Sequence, residues 1–106
     1  MSALSKYHAQ KTVVNGIAFD SKKEASRYIQ LSMMQKAGII HDLKLQVPFV
    51  IIPKSRYGRA IKYVADFVYK AQDGREVIED VNGMKTTVYR LKKRLMAELG
   101  KEITEI

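Results

Sequence analysis

Asp66 and Asp80 are the residues of this chain best suited by type and spacing to do chemistry. Asp66 lies in the strand-like run Tyr63-Val64-Ala65-Asp66-Phe67-Val68-Tyr69, and Asp80 in a second run, Glu76-Val77-Ile78-Glu79-Asp80-Val81-Asn82. Gln72-Asp73-Gly74 between them suits a three-residue hairpin loop, a type I turn closed by a glycine in the left-handed region. Ala71 then faces Arg75, and counting back along both strands sets Asp66 directly across from Asp80. Two opposed carboxylates have Cβ atoms about 5 Å apart, and like charges there destabilise the pair. A proton or a bound cation relieves the repulsion. A divalent metal site is the sharper reading. A two-residue Asp73-Gly74 turn is the alternative: it shifts the register by one, puts the two Asp residues on opposite faces and leaves each an ordinary solvated strand residue.

The chain around this pair is short and basic. Its 106 residues, 46% of them hydrophobic, suit one compact domain with a modest core. The formal net charge of +8 favours a polyanionic partner, nucleic acid before a membrane surface. Cysteine is absent, which excludes disulfides, thiolate metal sites and a cysteine nucleophile. No apolar stretch approaches the roughly 20 residues of a membrane span, and no signal-peptide pattern opens the chain, so a cytoplasmic location without membrane contact is expected.

Periodicity supplies the elements that must position the acids. Residues 1–11 read as a loose basic segment, and 12–106 as a single domain. Thr12 to Phe19 reads as a hairpin around Asn15-Gly16, a pair suited to a type I′ turn. A helix opens at Asp20-Ser21-Lys22-Lys23-Glu24, runs to about Ala37 and stops at Gly38. Its apolar stripe is Ala25, Tyr28, Leu31 and Met34, with Ile29 beside them. A strand covers Leu43 to Ile52, interrupted at Pro48, which marks an edge or a bulge. The basic loop 53–59 contains Tyr57 and Gly58 and is placed to meet nucleic acid. Strands at about 60–70 and 76–82 follow, then a helix from Lys85 to Leu99 with Val88, Leu91, Leu95 and Leu99 inward, and a last strand over 102–106. A strand-helix-strand crossover makes that last strand parallel within the same sheet. The fold class is α/β, a mixed central sheet flanked by helices in the order α-β-β-β-α-β after a short N-terminal hairpin.

That order, with an acid on the first helix and an Asp on each of two successive strands, resembles the PD-(D/E)xK nuclease superfamily and its restriction-endonuclease-like core. More closely, Phe19-Asp20-Ser21-Lys22-Lys23-Glu24-Ala25 with Arg27-Tyr28, Gln46, Tyr63-Val64-Ala65-Asp66-Phe67, and Glu79-Asp80-Val81-Asn82-Gly83-Met84-Lys85-Thr86 look like a family of small phage and prophage proteins. That family carries no assigned function and is presumed to be endonucleases. The resemblance implies Asp66 and Asp80 as metal carboxylates, Mg²⁺ or Mn²⁺ as cofactor, Glu24 as a further acid and Gln46 as a site residue. It also implies DNA, duplex or branched, as partner, a place among recombination or replication intermediates, and the host cytoplasm as location. The superfamily commonly has Lys where this chain has Asn82, and Lys85 is the nearest ammonium in sequence. Asn82 donates hydrogen bonds but offers neither positive charge nor a general base.

Each residue also has a plainer role. Glu24 lies three after Ser21, the spacing of a capping box. Gln46 fits a solvent-facing strand position, and Glu79, on the face opposite Asp80, fits an ion pair with a Lys or Arg. His8 and His41 are too isolated for a metal site. Lys85, Arg90, Lys92, Lys93 and Arg94 on the second helix, with Lys54, Arg56, Arg59 and Lys62 before Asp66, read either as a solvated face or as a phosphate-binding track; no acid intervenes between Lys85 and Glu98 to pair with the helical ones. Three functions are therefore expected: a metal-dependent endodeoxyribonuclease, a nuclease-fold protein that binds nucleic acid without cutting it, and a basic accessory protein that binds a phage or host protein. A homodimer is compatible with each.

Overall fold

The computed structural model describes residues 11–106 except Asn82 and Met84. The expected loose segment 1–11, apart from Lys11, and the Asn82 position thus lie outside the described residues. Strand β1 (Thr12–Val14) pairs antiparallel with β2 (Ile17–Phe19). Asn15 and Gly16 take φ of 52° and 78°, the two positive values a type I′ turn demands. Helix α1 (Lys22–Lys36) starts where the Ser21 hydroxyl accepts the Glu24 N–H at 3.0 Å, and the chain leaves it through Gly38 at φ +77°.

The main sheet holds β3 (Ile40–Ile52), β4 (Ile61–Ala71), β5 (Glu76–Asp80) and β6 (Ile103–Glu105), side by side in that order. β6 runs parallel to β5 and the other neighbours are antiparallel, so the sheet is mixed and the fold α/β. Helix α2 (Thr87–Glu98) makes the crossover, capped by the Thr86 hydroxyl on the Tyr89 N–H. Between β4 and β5 the Ala71 N–H donates to Arg75 O and the Gly74 N–H to Ala71 O, both at 2.9 Å, with Gly74 at φ +86°. That is the three-residue loop. Pairing runs from Lys70↔Glu76 to Phe67↔Glu79, and one step further sets Asp66 against Asp80.

Two apolar clusters divide the sheet. Phe67, Tyr69 and Val81 pack with Phe19, Ala25, Leu31 and Ile40 under α1. Tyr63, Ala65, Val68 and Ile78 pack with Ile51, Ile103 and Met96 of α2. Ala65 and Phe67 have the same parity yet belong to different clusters, as do Val47 and Leu45 beside them. Both strands therefore change the face they bury at the Gln46/Asp66 position, and Gln46 takes φ +53° there.

Three expectations need correction. The break expected at Pro48 is absent: Pro48 pairs with Val64, and the register shifts fall between His41 and Lys44 and between Val50 and Ile52. β3 is the outermost strand, where a residue without an N–H is tolerated. Ile29 is exposed rather than part of the α1 stripe. The α2 stripe is right only at Leu95, which packs against the core; Val88, Leu91 and Leu99 are 61%, 56% and 55% exposed while Met96 is fully buried. Polar groups orient this helix: the Tyr89 hydroxyl and the Lys93 ammonium both reach Glu105 on β6, which turns the 89/93/96 row inward. Among the described residues no helix is long and apolar enough to cross a membrane.

This orientation sets opposite expectations for two apolar residues of one helix. Met96→Ala should cost about 2–5 kcal/mol, the range for a buried side chain cut to Ala. Leu91→Ala should stay within about 0.5 kcal/mol. Urea denaturation of both variants distinguishes this packing from the reverse, in which Leu91 is the costly one.

Candidate functional site

The acids meet where the sheet changes face and the β4–β5 ladder ends. Each Asp is held through one oxygen. Asp66 Oδ2 accepts the Val81 N–H at 2.7 Å, and Asp80 Oδ2 accepts the Tyr63 hydroxyl at 2.6 Å. The second oxygens are less engaged: Gln46 Nε2 is 3.4 Å from Asp66 Oδ1, and no donor to Asp80 Oδ1 is present among the described residues. Gly83 passes so close that a Cβ there would lie 3.1 Å from Asp80 Oδ1 and 3.0 Å from the Tyr89 hydroxyl.

Glu24 joins the pair from α1. It is buried, and Gln46 Nε2 donates to its Oε2 at 3.1 Å while reaching toward Asp66. Its backbone N–H donates to the Ser21 hydroxyl, while its carboxylate accepts from the Asp20 backbone and from Gln46. Gln46, an exposed strand residue, acquires this contact through its left-handed backbone, a conformation that costs a non-glycine residue roughly 1–2 kcal/mol. Strain held at a cluster of acids is a pointer to function.

Electrostatics sets these acids apart. Burial, and next the adjacent Asp66 and Asp20 carboxylates, push Glu24 up to about 7 against hydrogen bonds from the Asp20 backbone and Gln46. Burial raises Asp66, opposed by the Val81 N–H, and the Asp80 charge raises it further. Asp80 is raised by burial and by Glu105, and is pulled down by the Tyr63 hydroxyl, Lys85 and Lys93.

The neighbouring Glu79 shows the contrast. It points to the opposite face, 1% exposed, where Arg27 grips both its oxygens at 2.8 and 2.6 Å and the Tyr69 hydroxyl adds a third bond. That acid is neutralised within the fold. Asp80 faces other acids.

Sequence reasoning missed Tyr63, Tyr89 and Glu105. Glu105, paired with Asp80 across β5 and β6, binds Lys85 at 2.6 Å, Lys93 at 3.2 Å and the Tyr89 hydroxyl at 2.6 Å, contacts that lower its pKa to about 2. Lys85 and Lys93 are thus brought near Asp80 by an acid on another strand. Lys54, Arg56, Arg59 and Lys62 sit at the far end of β3 and β4, and Arg90, Lys92 and Arg94 on α2; none of these forms an ion pair among the described residues.

The donors present were tested against a divalent ion. Among the described residues no three His, Cys, Asp or Glu side chains converge on one metal position. Mg²⁺ needs fewer, because it keeps several waters and is bound by one or two carboxylates with substrate phosphate. A partly buried Asp66 and a buried Asp80, each with one weakly engaged oxygen, fit that requirement.

The chain belongs to a family described as a protein of unknown function (DUF1064), whose model matches residues 4–104. No curated protein and no solved structure matches the chain significantly.

Two measurements check the site. A carboxyl whose folded pKa lies above its unfolded value binds more protons in the native state, so Glu24 adds stability below about pH 4.5 and loses it as the pH rises through 7. In metal-free buffer the melting temperature should fall across that window, and Glu24→Gln should flatten the fall; Glu105, shifted the other way, acts at lower pH. A wild-type slope unchanged in Glu24→Gln contradicts the assignment. Separately, Gln46→Gly should be more stable than Gln46→Ala by about 1 kcal/mol in urea denaturation, because glycine accepts the positive φ that alanine resists.

Proposed function

We propose that this protein is a metal-dependent endodeoxyribonuclease of the PD-(D/E)xK type that hydrolyses phosphodiester bonds in DNA, with branched or otherwise structured duplex as its substrate class. One observation carries the reading: one step beyond the last β4–β5 pair, the partly buried Asp66 falls across from the buried Asp80, and Gln46 links Asp66 to the buried Glu24. The order α-β-β-β-α-β after the hairpin supports it.

In this reading Asp66 and Asp80 hold Mg²⁺ or Mn²⁺, which supplies charge neutralisation at the phosphoryl oxygen and lowers the pKa of a bound water. The protein's own groups do the rest. Tyr63 and the Val81 N–H fix one oxygen of each Asp, leaving Asp66 Oδ1 with a long bond from Gln46 and Asp80 Oδ1 without a donor among the described residues. Glu24, raised to about 7, is poised to accept a proton from water near neutral pH. Gln46 ties Glu24 to Asp66 and keeps that acceptor beside the pair. Lys85 and Lys93 place positive charge near Asp80, where the superfamily's lysine is replaced by Asn82.

Binding without cleavage is a second reading, favoured by the Lys85 ammonium, which is held by Glu105 instead of standing free at the carboxylate pair. Under both readings the unpaired basic residues bind the DNA backbone, and affinity falls steeply with added salt.

The test is cleavage of labelled linear duplex, single-stranded and four-way-junction DNA with Mg²⁺, with Mn²⁺ and with EDTA. Wild type should cut only with metal. Asp66→Ala and Asp80→Ala should each lower the rate at least about 100-fold, equivalent to roughly 2.7 kcal/mol, while DNA binding persists. Silence from wild type with activity gained in Asn82→Lys supports the second reading. Silence from all, with no DNA binding at low salt, removes both and leaves a basic accessory protein.

A further inference from the structure

β5 pairs with β4 only from Phe67 to Lys70. Beyond that point the Ile61–Asp66 part of β4 and the Gln46–Ile52 part of β3 continue as a two-stranded ribbon. One face of this ribbon, Phe49, Ile51 and Tyr63, packs toward α2, while Val50, Ile52 and Val64 on the other are exposed. The sequence contains no acid between Asp42 and Asp66, so the whole ribbon is cationic or neutral.

The tip of the ribbon is a built turn. The Ser55 N–H donates to Gly58 O at 3.0 Å and the Gly58 N–H returns to Ser55 O at 3.2 Å. The Tyr57 N–H is fixed on the Ser55 hydroxyl at 3.1 Å. Tyr57 itself is 83% exposed, yet its ring is held: the Arg56 guanidinium lies 4.9 Å from the ring centre and donates to its hydroxyl at 2.7 Å. An exposed aromatic ring at the end of an arm, backed by the Arg56 guanidinium, with Lys54, Arg59 and Lys62 close by in the sequence, has no role in the core. It is a stacking platform of the kind that takes a nucleobase.

We propose that this ribbon is a wedge, with Tyr57 stacking on an unpaired base at a fork or branch in DNA. The inference deepens the nuclease reading and rests on it for the cutting step alone. Bases inside a duplex are already stacked on both faces, so one tyrosine finds a free face only where pairing ends. The ribbon also sets a spacing. Five strand residues from Asp66 to Ile61 span about 17 Å at roughly 3.3 Å each, and the turn carries Tyr57 further, to between about 20 and 30 Å. At about 3.4 Å per nucleotide along a strand, the acids act some six to nine nucleotides from the branch.

The experiment uses the full chain and a forked DNA carrying 2-aminopurine at the first unpaired position, with the same label inside a blunt duplex as control, in EDTA so that nothing is cut. Wild type and Tyr57→Phe should change the fork fluorescence and bind the fork about tenfold tighter than the blunt duplex. Tyr57→Ala should lose both effects with its melting temperature unchanged. With Mg²⁺, wild type should cut about six to nine nucleotides from the fork. Equal binding of fork and duplex by wild type, or a preference retained in Tyr57→Ala, overturns the wedge. So does sedimentation showing that Tyr57→Ala dissolves a self-associated form while fork fluorescence is untouched, because the tip is then a protein contact. An intact fluorescence response without cleavage overturns the nuclease reading and its spacing, and leaves the stacking role supported.

Discussion

The arrangement of this molecule depends on one local constraint, the change of buried face that β3 and β4 undergo together at Gln46 and Asp66. Before it, on the β5 side, the strands bury Leu45 and Phe67 under α1; beyond it they bury Val47 and Ala65 toward α2. A strand of strict alternation cannot do this, because a side chain two residues on returns to the same face. The left-handed backbone of Gln46 provides the break in β3. As a result two helices on opposite faces each cover a different half of the sheet, and groups from both layers reach the same point: Glu24 and Gln46 from one side, Tyr63 and Asp80 from the other.

Consecutive acids on β5 show what such a meeting point does to charge. Glu79 is the more deeply buried, yet it is matched by a two-pronged arginine and a tyrosine hydroxyl. Replacing Arg27 would leave a buried carboxylate uncompensated, the costly half of any buried pair. Asp80, one residue on, receives a hydroxyl but faces Asp66, and both have raised pKa values with burial as the largest cause. Among the described buried acids, Glu79 alone is gripped by an arginine. The repulsion left at Asp66 and Asp80 is what a cation relieves.

Much of this was legible in the sequence wherever local chemistry decides the outcome. Asn15-Gly16 suits its hairpin; Gln72-Asp73-Gly74 left two loop lengths open, and once the structure fixes the three-residue one, the opposition of Asp66 and Asp80 follows by counting. The parallel crossover of β6 follows from a helix lying between two strands. What stayed hidden depends on how elements dock. The stripe Val88, Leu91 and Leu99 has helical spacing, but periodicity identifies a face without saying what it meets, and Tyr89 and Lys93 turn another row inward through Glu105. Glu105 could be placed beside Asp80 only once the β5–β6 register was known. Tyr63 was obscured by the face change, since straight alternation sets it apart from Asp66. Gly83 was the one unread signal, a residue whose missing side chain leaves room for Asp80 and Tyr89.

Charge in this protein is ordered by distance from the acids. At the centre Glu24, Asp66 and Asp80 repel a bare anion. Next come Lys85 and Lys93, both tethered to Glu105. Outside these lie the unpaired basic residues of α2 and of the ribbon, which account for much of a net charge of +8. Screening at physiological salt confines each charge to about 8 Å, so the outer groups attract a polyanion without cancelling the inner repulsion. A phosphodiester drawn in by the outer layer can rest on the inner one only with a cation between them. A purely structural acid cluster would not need the outer layer, and a simple DNA-binding surface would not place two unmatched carboxylates at its centre. The combination of both in one small domain supports the proposed reading, in which a cation bridges phosphate and carboxylates.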